Sequence, residues 1–101
     1  MTAAVRAVVV GPGVDNVATA VGALAAGERL LLDGRVVEVR EPIAGGHKLA
    51  LRPIVAGEEV VKYREPIGRA VADIPAGAHV HVHNVVSARL PGPGETPADA
   101  A

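Results

Sequence analysis

Ala50-Leu51-Arg52-Pro53-Ile54-Val55-Ala56-Gly57-Glu58-Glu59-Val60 is the stretch on which the fold class turns. It has two other copies: Ala20-Val21-Gly22-Ala23-Leu24-Ala25-Ala26-Gly27-Glu28-Arg29-Leu30 and Ala70-Val71-Ala72-Asp73-Ile74-Pro75-Ala76-Gly77-Ala78-His79-Val80. Each runs Ala, aliphatic, two variable positions, Leu or Ile, one variable position, Ala-Gly, two variable positions, aliphatic. The copies start 30 and then 20 residues apart, too irregular for a solenoid. The pattern has a physical reading. The first aliphatic ends a strand, the Ile or Leu plugs the core beneath a bend, and Gly supplies positive φ at the turn. The last aliphatic opens the next strand. Taken alone, the first copy also suits a helix, because Val17, Ala20, Val21 and Leu24 keep helical spacing. Pro53, Pro66 and Pro75 break a helix in or beside the other two copies.

Outward from the repeat, strands are expected at residues 5–10, 30–32, 35–39, 48–51, 59–62, 69–71 and 79–86. Asp33-Gly34 is a strong hairpin signal between two of them. A short helical turn capped by Asp15 remains open for residues 15–20. Short strands with dense Gly and Pro turns predict one compact all-β domain, a small barrel or clip, over residues 1–90. Residues 91–101, Pro-Gly-Pro-Gly-Glu-Thr-Pro-Ala-Asp-Ala-Ala, carry no large apolar side chain and are expected to be a disordered tail.

Composition narrows the function. Half of the 101 residues are hydrophobic, but there is no Phe and no Trp, and Tyr63 is the only aromatic. The core must be aliphatic, and its valines favour strands. Ten basic residues against eleven acidic ones leave no cationic footprint for nucleic acid. Stacking platforms for single strands are absent too. With no cysteine there is neither a disulfide framework nor a thiolate metal site. No apolar run approaches the roughly 20 residues that span a bilayer, and no secretory leader is read, so a cytoplasmic location is expected.

Chemistry concentrates in the histidines. His79, His81 and His83 alternate with Val80 and Val82, so on a strand they share one face and the valines face the core. Neighbouring histidines two apart lie roughly 7 Å from each other, and His79 and His83 about twice that. A His79/His81 pair plus an outside ligand suits zinc or divalent iron. The alternative is the polar face of a half-exposed strand. His47 lies in Gly45-Gly46-His47-Lys48, a weak anion-cradling signal. Lys62, Tyr63 and Arg64 offer charge-assisted hydrogen bonds to a carboxylate, or else form a solvated turn with Tyr63 filling the core.

Four ordered motifs carry a resemblance. Asp15-Asn16-Val17-Ala18, Gly46-His47-Lys48-Leu49-Ala50-Leu51, Lys62-Tyr63-x-x-Pro66-Ile67-Gly68 and His79-Val80-His81-Val82-His83-Asn84 resemble the SAF domain of altronate and galactarate dehydratases. They are similar also to the small subunit of sulfolactate sulfo-lyase. The resemblance covers roughly residues 5–87. It implies a β-clip fold and a subunit of a lyase that removes water or sulfite from a hydroxy acid. That subunit is not active alone and works with a separate large catalytic subunit and a shared divalent metal, iron(II) by analogy. His81 and His83 would be catalytic, as proton shuttle or ligand. His47, Lys48, Lys62, Tyr63, Arg64 and Asn84 would contact a sugar acid or other hydroxy acid, and His79 with His81 would meet the metal. A non-catalytic SAF-fold module that binds a sugar acid or a partner protein is the alternative. The chain departs from the family pattern at Gly11-Pro12-Gly13-Val14, where a histidine often precedes Asp-Asn-Val-Ala, and at Arg64, where glycine usually follows Lys-Tyr.

Overall fold

The computed structural model describes residues 5–87; the expected tail at 91–101 and the domain end at 90 lie outside them. Among the described residues there are strands and turns and no helix, as the all-β expectation requires. The strands are β1 (Ala7–Val8), β2 (Val17–Ala20), β3 (Arg29–Leu32), β4 (Arg35–Glu38), β5 (Lys48–Ala50), β6 (Glu59–Lys62), β7 (Glu65–Ala70), β8 (His79–Val80) and β9 (Val85–Ser87). They form three antiparallel sheets, ordered β1-β2-β5-β8, β3-β4 and β6-β7-β9.

The repeat works as its chemistry dictates. Leu24, Ile54 and Ile74 are buried plugs, and Gly27, Gly57 and Gly77 all have φ between 83° and 91°. A fourth copy, Ile43-Ala44-Gly45-Gly46, escapes a sequence pattern written with Ala-Gly because Gly45 replaces the alanine. The reason is spatial: a Cβ at 45 would sit 3.3 Å from the Gly22 Cα. The four plugs pair. Leu24 and Ile43 exchange backbone hydrogen bonds of 2.8 and 2.9 Å, and Ile54 and Ile74 exchange bonds of 2.8 and 2.7 Å. The domain is therefore two similar halves, each a strand, a bend, a hairpin and a second bend.

Each half has its own core. One gathers Leu24, Leu30, Val37, Val39, Ile43 and Leu49; the other Val17, Ile54, Val60, Ile74, Ala78 and Val80. β2 and β5 run between them. Ala18 and Leu49 face the first core, Val17 and Ala50 the second. That double burial explains why residues 15–20 read ambiguously. β2 is Val-Ala-Thr-Ala, with no polar face to produce alternation. No helical turn forms there; Val17–Ala20 is strand, and Asp15 makes no helix cap.

Other features also differ from expectation, beginning with β1, which is Ala7–Val8 where residues 5–10 were expected. β7 begins at Glu65, not 69, because a two-residue turn at Tyr63-Arg64 closes a β6–β7 hairpin matching the one at Asp33-Gly34. A bulge between Val60 and Val61 leaves Ile67 as the extra residue on β7. The predicted strand 79–86 breaks after Val80 and resumes only at Val85. Val82, expected in the core, is 82% exposed at the tip of the intervening turn.

Candidate functional site

The break in that strand builds the site. Asn84 is buried and fastens the turn at three points: its Oδ1 accepts the His81 N–H (2.9 Å), its Nδ2 donates to the His79 carbonyl (2.8 Å), and its backbone N–H donates to the His81 carbonyl (3.1 Å). The chain folds back at His81. His83, placed by a regular strand about twice 7 Å from His79, instead brings its ring centroid to 5.1 Å from the His79 ring.

β5 pairs with β8, Lys48 opposite Val80 and Leu49 opposite His79, and this brings His47 to the same place from the preceding turn. Three rings stack nearly parallel, with centroids 4.1 Å apart for His47 and His81, 5.1 Å for His47 and His79 and 5.3 Å for His79 and His81. His47 Nδ1 and His79 Nε2 lie 2.8 Å apart and share a proton. One ligand nitrogen from each of His47, His79 and His81 falls within 4.8 Å of the others. The sequence expectation paired His79 with His81; the structure adds His47.

The electrostatics oppose protonation of two of these rings, His79 and His81. Burial lowers the His79 pKa, the neighbouring His83, His47 and His81 lower it further, and Glu41 opposes them. Burial and then His47, Lys48 and His83 lower that of His81. Glu41 carries no local signal in the sequence; its carboxylate accepts the His79 N–H across 38 positions (3.1 Å). Three imidazoles that converge in this way suit a divalent transition metal. The donor set has a further mark of a ligand site: His81 Nδ1 is buried and has no hydrogen-bond partner.

Beside His81 a cavity of about 180 Å³ is lined by Lys48, Ile67, Val82, Val85 and Ser87. The bulge is what turns Ile67 toward it. Lys48 is half-buried, and its ammonium pKa is lowered by burial and then by the charge of Lys62. Lys62 lies 4.6 Å over the Tyr63 ring. Tyr63 is half exposed and does not fill the core; with Arg64 it forms the left-handed hairpin turn, φ 55° and 65°. The backbone N–H groups of both are held by Asp15. Asn84, expected at the substrate, has its side chain engaged in the turn that carries His81.

Comparison with known proteins adds to this geometry. The family model of the altronate/galactarate dehydratase SAF domain matches residues 6–88. Altronate dehydratase of Escherichia coli is 51% identical over 70 residues, 69% of this chain and 14% of that protein. The (2R)-sulfolactate sulfo-lyase subunit alpha of Chromohalobacter salexigens is 52% identical over 52 residues, 52% of this chain and 55% of that one. Galactarate dehydratase (L-threo-forming) of E. coli is 43% identical over 79 residues, again 14% of its length. The chain thus matches a small part of the dehydratases and about half of the sulfo-lyase subunit. Among the described residues no helix is long and apolar enough to cross a membrane.

Proposed function

The chain belongs to the altronate/galactarate dehydratase SAF family, and from that premise we propose that it is the small module of a hydroxy-acid lyase that completes its site on a separate, large catalytic subunit. The observation that carries the reading is the convergence of His47, His79 and His81 within 4.8 Å on a partly exposed surface. The proportions support it: the dehydratases that resemble this chain are about seven times as long as the stretch they share with it, and the sulfo-lyase relatives are named as subunits.

Eliminating water or sulfite from a hydroxy acid requires removal of the proton alpha to the carboxylate and assistance to the leaving group. A divalent metal, iron(II) by family analogy, would be held by His47, His79 and His81 and would supply Lewis acidity to that leaving group. This chain's residues do the rest of its share. Lys48 and Lys62 bind the substrate carboxylate as ammonium donors. His83, exposed at the edge of the cluster, moves protons between site and solvent. The Ile67, Val82 and Val85 wall limits water beside His81.

The test is co-expression with a large dehydratase chain and an assay of sugar-acid or sulfolactate elimination with ferrous iron. Activity is expected only from the pair. Full activity of the large chain alone would reduce this chain to a binding module.

A further inference from the structure

The two halves of the domain share a plan, but the second carries two additions beside the histidines. The β3–β4 hairpin pairs without a break, Arg29 to Leu32 against Glu38 to Arg35. The β6–β7 hairpin holds one residue more: Val60 faces Gly68 and Val61 faces Pro66, which leaves Ile67 over. A third strand, β9, then lies along β7, whereas among the described residues β4 pairs with β3 alone. Gly68 makes that approach close. A Cβ there would stand 2.3 Å from the Val86 carbonyl oxygen and 2.5 Å from Val85 Cγ1. The first half folds with neither device, so the fold itself does not call for them.

Both devices act on the cavity beside His81. Lys48 and His81 reach it from β5 and the end of β8, and among the described residues Lys48 is in no ion pair. The buried His81 Nδ1 has no hydrogen-bond partner. From β7 and β9 come Ile67, the bulge residue, and Val85, seated on Gly68; the turn adds Val82. Exposed Ser87 follows Val85 on the same face of β9. The β5–β8 pair thus offers the cavity a cation and an imidazole, and the rest of its wall holds three aliphatic side chains. An anionic group suits the first. A polyhydroxylated chain does not suit the second, because each hydroxyl laid on those three side chains gives up water and finds no partner.

We infer that Ile67, Val82 and Val85 are specificity-determining residues, which seat the alkyl end of a short hydroxy acid and select it over a sugar acid of the same length. The inference rests on the reading of the histidines as the site of a hydroxy-acid lyase, and its test keeps the two apart. The probes are two four-carbon acids, 2-hydroxybutyrate and threonate, which adds hydroxyls at its third and fourth carbons. Their binding to the full chain is followed by methyl NMR shifts of Ile67 and Val85. Binding of cobalt(II) is followed by its visible absorption and reports the histidines.

Wild type is expected to bind 2-hydroxybutyrate about tenfold more tightly than threonate, the low end of what an apolar pocket discriminates. Val85→Thr exchanges a methyl for a hydroxyl at nearly constant size. It is expected to bring the ratio to about twofold or less and to leave cobalt affinity unchanged. Val82 is 82% exposed, so Val82→Thr leaves the core as it is. That variant should narrow the ratio too, and it keeps the comparison available if Val85→Thr does not fold. Threonate bound as tightly as 2-hydroxybutyrate, a wild-type chain that ignores both acids, or a ratio that the variants keep would each overturn the inference. A wild-type chain that prefers 2-hydroxybutyrate but ignores cobalt sinks the histidine reading instead.

Discussion

His47 Nδ1 lies 2.8 Å from His79 Nε2 although 32 residues separate them. The contact follows from the β5–β8 register, which sets Leu49 opposite His79. Both residues are only partly buried, and neither belongs to the core of either half. The His47/His79 contact brings two imidazole nitrogens to one point, and the buried His81 Nδ1, with no hydrogen-bond partner, adds a third donor nearby.

Replacing any of the three with alanine is therefore expected to abolish metal binding and spare the fold. His47→Ala, His79→Ala and His81→Ala should each weaken cobalt(II) by more than about 100-fold, beyond the upper end of what losing an outer-shell partner costs. Unfolding free energies should change by less than about 1 kcal/mol, as for other rim substitutions. His83→Ala, whose ring is tilted at 35° to that of His79 and stands outside the cluster of three, should retain cobalt. Visible absorption and denaturant titration together check this.

Asn84 controls the same cluster from below. Asn84→Ala removes the acceptor for the His81 N–H and the donor to the His79 carbonyl. The turn should loosen and the rings lose their registration, lowering cobalt affinity about 10–100-fold as supporting partners do. Each lost hydrogen bond should also cost about 1 kcal/mol of stability. Retained affinity in a destabilised variant would assign Asn84 to folding alone.

How much of this could be read from the chain depends on which groups are neighbours in sequence. The plugs Leu24, Ile54 and Ile74 and the Asp33-Gly34 turn are local signals and were legible, and the all-β class followed from them. The break after Val80 was not. Val-His alternation describes a strand well, and what ends it is the side chain of Asn84 turning back on His79 and His81, a preference of one residue against the pattern of six. His47 joins the cluster through register, which no local rule supplies. β2 was hidden because burial on both faces erases periodicity. The Asp15 side chain favours backbone N–H groups, which in sequence suggests a helix cap, but two of the partners it finds are 48 and 49 residues away.

The strain at Arg64 gives a prediction of opposite sign to most substitutions. At φ 65° an L-residue is unfavourable by about 1–2 kcal/mol, and glycine is not. Glycine also adds freedom to the unfolded chain, which offsets about half. Arg64→Gly is thus expected to stabilise the domain by about 0.5–1 kcal/mol, raising Tm by about 2–8 °C for a domain of this size. A thermal melt followed by circular dichroism measures it; an unchanged or lower Tm would mean that the Arg64 side chain contributes contacts worth more than the strain.

The Asp15 carboxylate couples that turn to pH. Burial alone would raise its pKa, but hydrogen bonds from the backbone of Arg64, Tyr63 and Gly11, with the Arg64 charge, outweigh burial and lower it below 3.8. The folded state therefore holds the proton less tightly than the unfolded chain does. The stabilisation is complete above the unfolded value and is lost as pH falls from there through the depressed folded value. Above that window Asp15→Asn should be less stable than wild type by about 1–3 kcal/mol, since charged acceptors bond backbone N–H groups more strongly than neutral ones. As the pH falls below 4 the two proteins should converge, because wild type then carries a protonated and equally neutral side chain. Denaturant midpoints of both proteins across that range give the difference directly. A gap that stays constant down to the most acid point would show that Asp15 acts through shape and not through charge.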